Sequence, residues 1–306
     1  MVDKEFSLRA IPPFRLDFTA WAIRRRPENR IDLWDGVAYR RVLCLGGKAV
    51  QIRVTQDRLA SSRLRVTIAG VDLDSSGKAH ITLALDRLLG RRIDLGPFYS
   101  FAEQDRRLGH LAQRFYGVKP PRFPTVFETV ANGVACQQLS LAVGITLLNR
   151  LSQAWGLQFR GPDETQYSFP TPEQIAAAKI SELQQLGFSS NKSRALIELA
   201  SAIAAGGMDL ERLAFVDDQE AMARLLEIRG VGRWTAEYVL LRGLGRTNIF
   251  PGDDVGARNN LASWLKLRKP LDYRGVAHVL GKWKNYAGLI YFHLLMDRLA
   301  GAGFLK

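Results

Sequence analysis

Between Leu225 and Gly245 the chain reads LLEIRGVGRWTAEYVLLRGLG, two short helical patterns split by Arg229-Gly230-Val231-Gly232. A break of this kind narrows the choice of fold. Glycine accepts positive φ and carries no Cβ, so the helices can turn back on each other within a few residues. The first backbone amides of the second helix then point outward, where the helix dipole favours an anion. In a basic protein that anion is naturally a phosphate, gripped without any reading of base sequence. The plainer alternative is a structural turn between packed helices, since glycine pairs are common there.

The surrounding chain indicates two lobes. Its 306 residues exceed the roughly 100–200 residues usual for one domain. Val42 to Val54 has β-branched runs on either side of Gly46-Gly47, a hairpin signal, and a further β-like run starts at Arg63. Residues 77–89 show helical spacing through Ile81, Leu83, Leu85 and Leu88-Leu89. The texture changes at Pro120, Pro121 and Pro124, and beyond them the pattern is almost entirely helical. Thr171-Pro172-Glu173-Gln174 is a helix start with a capping box, and that helix should stop before Gly187. A second should run from about Asn191 to Gly206-Gly207, and a third should begin near Asp217-Asp218. The expected fold is mixed α+β, with a small N-terminal α/β lobe (1–118) carrying an antiparallel sheet and a large all-α lobe (119–306).

Composition limits what such a chain does. Lys and Arg total 43 against 30 Asp and Glu, a net charge of +13, which favours a polyanionic partner. Cys44 and Cys136 are the two cysteines, too few for a four-thiolate zinc site or an iron–sulfur cluster. His80, His110, His278 and His293 are scattered, which argues against a zinc site. No stretch approaches the roughly 20 apolar residues of a membrane span, and the opening MVDKEFSLRAIPPF lacks a signal core. A soluble intracellular protein is expected, cytoplasmic in a bacterium or nuclear in a eukaryote.

After the hairpin comes TNIFPGDDVGARNNLASWL, with Pro251 and two acids just before another helix. The pattern L-x-x-I-x-G-V-G-x-x-T-A followed by P-x-x-D resembles the helix-hairpin-helix DNA glycosylases, the HhH-GPD superfamily. Together with GRWTAEY, FPGDD and the α/β N-terminal lobe, it resembles their 3-methyladenine DNA glycosylase II branch. The helical lobe carries this likeness, which the N-terminal lobe shares only in texture and in Pro12-Pro13-Phe14. The resemblance implies a monomeric base-excision repair enzyme that removes alkylated purines from double-stranded DNA and needs no cofactor. Two alternatives stay open: an 8-oxoguanine-type glycosylase of the same fold, and a DNA-binding module without catalysis.

Breaking the bond from C1′ to a base nitrogen leaves positive charge on the sugar, which a fixed carboxylate offsets. The P-x-x-D spacing and the resemblance both select Asp254 for that role. Asp253 reads as a helix cap or a group that positions the loop. Bifunctional relatives carry lysine where this chain has Trp234, so strand cleavage through a Schiff base is not expected. Trp234 and Tyr238, four apart, share one helical face, which at this spacing is commonly core packing. The resemblance places Trp234 in the wall of the base pocket and leaves Tyr238 open between pocket and core. A cationic base over such a face gains roughly 0.5–2 kcal/mol. Trp283 and Leu295 complete the pocket by resemblance, and Phe18 or Trp21 are candidates from the N-terminal lobe. Val255, Asn285 and Leu295 depart from the usual pattern, so the lesion range is left open. Gly230, Val231, Gly232 and Arg233 are expected to hold DNA. Gln137 and Gln138 lie in an otherwise apolar helical run. The resemblance implies that they enter the duplex, Gln138 at the wedge position that fills the gap left by the extruded base. Buried amides satisfied by neighbouring backbone are the plainer alternative. The resemblance also implies a monovalent cation on the carbonyls of Leu226, Ile228 and Val231.

Overall fold

The Gly46-Gly47 pair does what its sequence position predicts. In the computed structural model both residues have positive φ (55° and 74°), as a two-residue hairpin turn requires, and Leu45 pairs with Lys48 across it. The structure describes residues 4–59, 61–71, 74–161 and 164–305. Its main sheet is antiparallel throughout, with order β1-β5-β4-β3-β2, built from β1 (Lys4–Arg9), β2 (Leu33–Trp34), β3 (Ala38–Leu45), β4 (Lys48–Gln56) and β5 (Arg63–Ala69). Val50, Ile52 and Val54 alternate inward beside Leu64, Val66 and Ile68. They share one core with residues of α1 (Leu16–Arg24) and α2 (Ser75–Leu89). Asp74 caps α2 by accepting from the Gly77 N–H at 2.7 Å. Leu83 leaves the predicted stripe. Two residues from Ile81 is about 200° around a helix, so it faces solvent at 63% exposure.

Packing crosses the expected 118/119 boundary. Phe98 of α3 (Gly96–Ala102), with Leu108 and Leu111 of α4 (Arg106–Arg114), shares a core with Trp283, Phe292 and Met296 near the C-terminus. The helical part continues with α5 (Val126–Cys136), α6 (Leu141–Trp155), α7 (Pro172–Ala176), α8 (Ile180–Gln185), α9 (Ser190–Ala204) and α10 (Asp218–Leu226). It ends with α11 (Arg233–Arg242), α12 (Val255–Leu265), α13 (Tyr273–Leu280) and α14 (Ala287–Gly301), with short 3₁₀ segments at 210–215 and 281–286.

Two details differ from the sequence reading. A two-stranded ribbon, β6 (Gln158–Arg160) with β7 (Thr165–Tyr167), interrupts the helical half. The helix opened by Thr171 is also split in two. Its capping box forms as expected, but the Lys179 N–H donates to Glu182 at 2.7 Å and starts α8 as a separate helix. Helix α11 is buried from Thr235 to Arg242 on every side, so its charged residues Glu237 and Arg242 must find partners inside the protein. A second buried charge cluster ties the sheet to α5. Arg41, 1% exposed, bridges Asp32 at 2.7 Å and Glu128 at 2.5 Å.

Candidate active site

The hairpin forms between α10 and α11. Gly230 sits at φ +79°, and a Cβ there would meet the Ala195 Cβ of α9 at 2.8 Å, so both the turn and the packing demand glycine. Gly232 is different: its φ is ordinary, and a Cβ would meet nothing within 4 Å. It is the N-cap of α11, and no side chain caps that helix, so the first-turn amides stay open to an outside anion. The Ile228 carbonyl accepts from the Val231 N–H at 3.0 Å, while no backbone N–H among the described residues reaches the carbonyls of Leu226 or Val231.

Contrary to the helical run expected for them, Gln137 and Gln138 both lie outside a helix. Helix α5 ends at Cys136, and Gln137 and Gln138 form the connection to α6, with Gln138 exposed at φ +55°. The Gln137 amide donates to the Gly230 carbonyl at 2.7 Å and to the Thr235 hydroxyl at 2.8 Å. Those two hydrogen bonds make Gln137 a brace for the hairpin and leave Gln138 as the residue free to project. Lys192 of α9 secures the same connection by donating to the Ala135 and Gln137 carbonyls.

A cavity of about 880 Å³ opens beside the hairpin, lined by Trp234, Tyr238, Asp254 and Leu295 together with Gln137, Gln138, Gly232 and Arg233. Most of the predicted site residues thus converge on one place. Trp234 and Tyr238 stack at 5.7 Å with 30° between their planes. Asp254 is the N-cap of α12, one oxygen accepting from the Ala257 N–H at 2.8 Å. Its other oxygen receives only a long 3.4 Å contact from the Trp234 indole N–H and remains available at the cavity wall. The helix cap expected of Asp253 therefore belongs to Asp254. Asp253 instead pairs with Arg233 at 2.6 Å, and this guanidinium also lies 3.8 Å from the Tyr273 ring centre. Arg233, read from sequence as a DNA contact, is thus already engaged in positioning the loop.

Behind the loop, buried Glu237 accepts from the Gly252 N–H at 2.9 Å and from the Tyr273 hydroxyl at 2.7 Å. Burial pushes its carboxyl above the ordinary carboxylate range, and these two hydrogen bonds pull the other way.

Trp283 does not belong to the cavity. It is buried against Trp264 at 5.1 Å, and its indole N–H donates to Asp105, because the 3₁₀ turn at 281–286 carries it to another face. The N-terminal candidates also point elsewhere: Phe18 packs edge-on to Phe115, and Trp21 stacks on Phe304. Helix α1 supplies Arg25 to the cavity instead. Arg25, Cys136, Phe250, Tyr291 and Arg298 are lining residues that sequence reasoning missed. Within Arg24-Arg25-Arg26 nothing marks the middle arginine as buried; it turns inward because it ends α1 at φ +63°. Among the described residues no helix is long and apolar enough to cross a membrane, and no cluster of side chains suits a metal ion.

The chain matches the HhH-GPD superfamily base excision DNA repair protein family over residues 132–285, a span that holds both the hairpin and Asp254. It is 31% identical over 201 residues to a DNA-3-methyladenine glycosylase of Bacillus subtilis (strain 168), covering 66% of each chain. It is also 31% identical over 181 residues to DNA-3-methyladenine glycosylase 2 of Escherichia coli (strain K12), covering 59% of this chain and 61% of that one. The matches thus span less than two thirds of these relatives' lengths. The structure superposes on a 3-methyladenine DNA-glycosylase from Archaeoglobus fulgidus with a TM-score of 0.83 at 25% identity, covering 96% of this chain and 99% of that one.

Proposed function

Because the chain belongs to the HhH-GPD superfamily of base excision DNA repair proteins, we propose that it is a monofunctional DNA glycosylase acting on double-stranded DNA. Its substrates are alkylated purines, 3-methyladenine among them, with 7-methylguanine and hypoxanthine as further candidates. The similarity to DNA-3-methyladenine glycosylases supports this reading. One observation carries it. Asp254 holds a carboxylate at the cavity wall, one oxygen fixed by the Ala257 N–H and the other available beside Trp234.

The phosphate backbone lies against the open amides of α11, where the space beside Gly232 lets it approach. Extruding a base from the duplex costs a few kcal/mol, and Gln138 is placed to fill the gap. The extruded base enters the cavity against the Trp234–Tyr238 face. As the C1′–N bond breaks, its electron pair leaves with the base and positive charge develops on the sugar. The free oxygen of Asp254 offsets that charge and orients the water that adds to C1′. Tryptophan at position 234 supplies no amine, so the product is an abasic site with the strand intact. The Leu226, Ile228 and Val231 carbonyls fit a monovalent cation, since two of the three receive no backbone N–H among the described residues. Such an ion would supply positive charge toward the phosphate. The protein works as a monomer.

The test is release of free base from duplex oligomers carrying single lesions, read by mass spectrometry. Asp254→Asn should abolish release and leave DNA affinity largely intact, and borohydride should trap no protein–DNA adduct. Near-normal turnover in Asp254→Asn would remove the carboxylate from the mechanism.

A further inference from the structure

The inner wall of the cavity carries a charge that the proposed chemistry does not use. Arg25 is 5% exposed and lines the same cavity as Asp254. Its guanidinium donates to the Tyr238 hydroxyl at 2.9 Å and to the Asn132 side-chain oxygen at 2.7 Å, and its Nε has no partner. The Cys136 thiol also lies against it, and among the described residues no carboxylate pairs with Arg25 directly. Asp32 and Glu128 act on it through space, and both are already bonded to Arg41. A second buried cation stands behind the first. Arg242, wholly buried, donates to the Ala22 carbonyl and lies over the rings of Phe123, Tyr238 and Phe292.

A buried arginine with no carboxylate in direct contact keeps donors without a charged partner, and a guanidinium does not shed its proton to escape the cost. Where a fold keeps such a group at a cavity wall, a ligand is the natural complement. The wall also has a definite polarity. Guanidinium N–H groups can only donate. The Tyr238 oxygen accepts from Arg25, so the phenolic hydrogen is left to donate as well. This wall therefore suits acceptor atoms and opposes positive charge.

Resting on the glycosylase reading and refining it, we propose that Arg25 and Tyr238 read an acceptor edge of the extruded base, so that the pocket ranks neutral, carbonyl-bearing bases above bases with a fixed positive charge. The Trp234 face attracts a cationic base, and Arg25 works against that attraction. The leaving step points the same way. A neutral base takes the C1′–N electron pair and departs as an anion, which Arg25 stabilises. Water then adds hydroxide to C1′, and its proton ends on the base. A cationic base departs neutral and gains nothing from Arg25.

Hypoxanthine and 7-methylguanine share the C6 carbonyl, and the latter adds a fixed positive charge with its N7-methyl and 2-amino groups. The effect is therefore read as the change each variant makes in single-turnover release of each base from matched duplexes. Arg25→Gln should slow hypoxanthine release at least tenfold and speed 7-methylguanine release about threefold. Arg25→Lys, which keeps the charge, should retain the discrimination against 7-methylguanine. Tyr238→Phe leaves the arginine in place and should slow hypoxanthine release about fivefold, which keeps the inference open to test if Arg25→Gln unfolds. A purely structural role would slow both bases equally in these variants, and that result overturns the inference while leaving the glycosylase reading intact. Release of neither base, or of any other lesion, by the unsubstituted protein would overturn both.

Discussion

Tyr273→Phe removes one oxygen atom, and the structure indicates what should follow. The Tyr273 hydroxyl donates to Glu237 at 2.7 Å, and Glu237, 5% exposed, also receives the Gly252 N–H. Deleting the hydroxyl leaves one carboxylate oxygen buried without its donor. A hydrogen bond to a charged group contributes about 1.5–3 kcal/mol, so the variant should lose about that much stability where Glu237 is ionised. The sign of the pH dependence follows from burial, which raises the Glu237 carboxyl above its ordinary 4.5. A raised carboxyl adds stability below its unfolded pKa and loses that contribution as pH climbs through the folded value. Where Glu237 is ionised it leans most on Tyr273. As pH falls through the raised value it takes up a proton, and the same bond is worth about 0.5–1.5 kcal/mol, as between neutral partners. Urea unfolding followed across pH should therefore show a loss about 1 kcal/mol larger above that titration than below it. Because Gly252 precedes the two aspartates of the loop, base release should also fall more than DNA affinity. A loss that does not grow with rising pH would refute the argument that Glu237 is a buried carboxylate bracing the loop.

Two further outcomes follow from other sites. Arg41→Met strands Asp32 and Glu128 without their shared counter-charge and should cost about 3–5 kcal/mol at neutral pH. The cost should shrink in mild acid, because burial already raises the Glu128 carboxyl, and urea unfolding across pH reads this directly. Gly230→Ala forces a Cβ into left-handed backbone and against Ala195, costing about 1–2 kcal/mol for the backbone alone. Its melting temperature should fall and its affinity for undamaged duplex should weaken, because the amides of α11 are re-aimed.

Much of this molecule was legible because its decisive signals are local. The Gly46-Gly47 turn, the capping box at Thr171 and the helix starts at Asp217 and Gly232 depend on residues only a few positions apart, and each lies where the pattern put it. Leu83 and the split after Ala177 show the limit of that reading. An apolar residue two positions off the stripe faces outward, and one acidic side chain reaching back to Lys179 ends one helix and begins another.

Within the site the division is sharper. Trp234, Tyr238, Asp253 and Asp254 lie within 21 consecutive positions, so helical periodicity and a glycine turn place them together before any long-range contact is known. Arg25 touches Tyr238 across 213 positions and Asn132 across 107, and no pattern in three consecutive arginines tells which will be buried. The brace from Gln137 to Gly230 and the removal of Trp283 to another face are likewise decided by how distant helices pack. Local chemistry in the chain determined the hairpin and its carboxylate. The charge of the wall they face was decided only in three dimensions, because desolvation and hydrogen-bond partnership belong to groups that the chain keeps far apart.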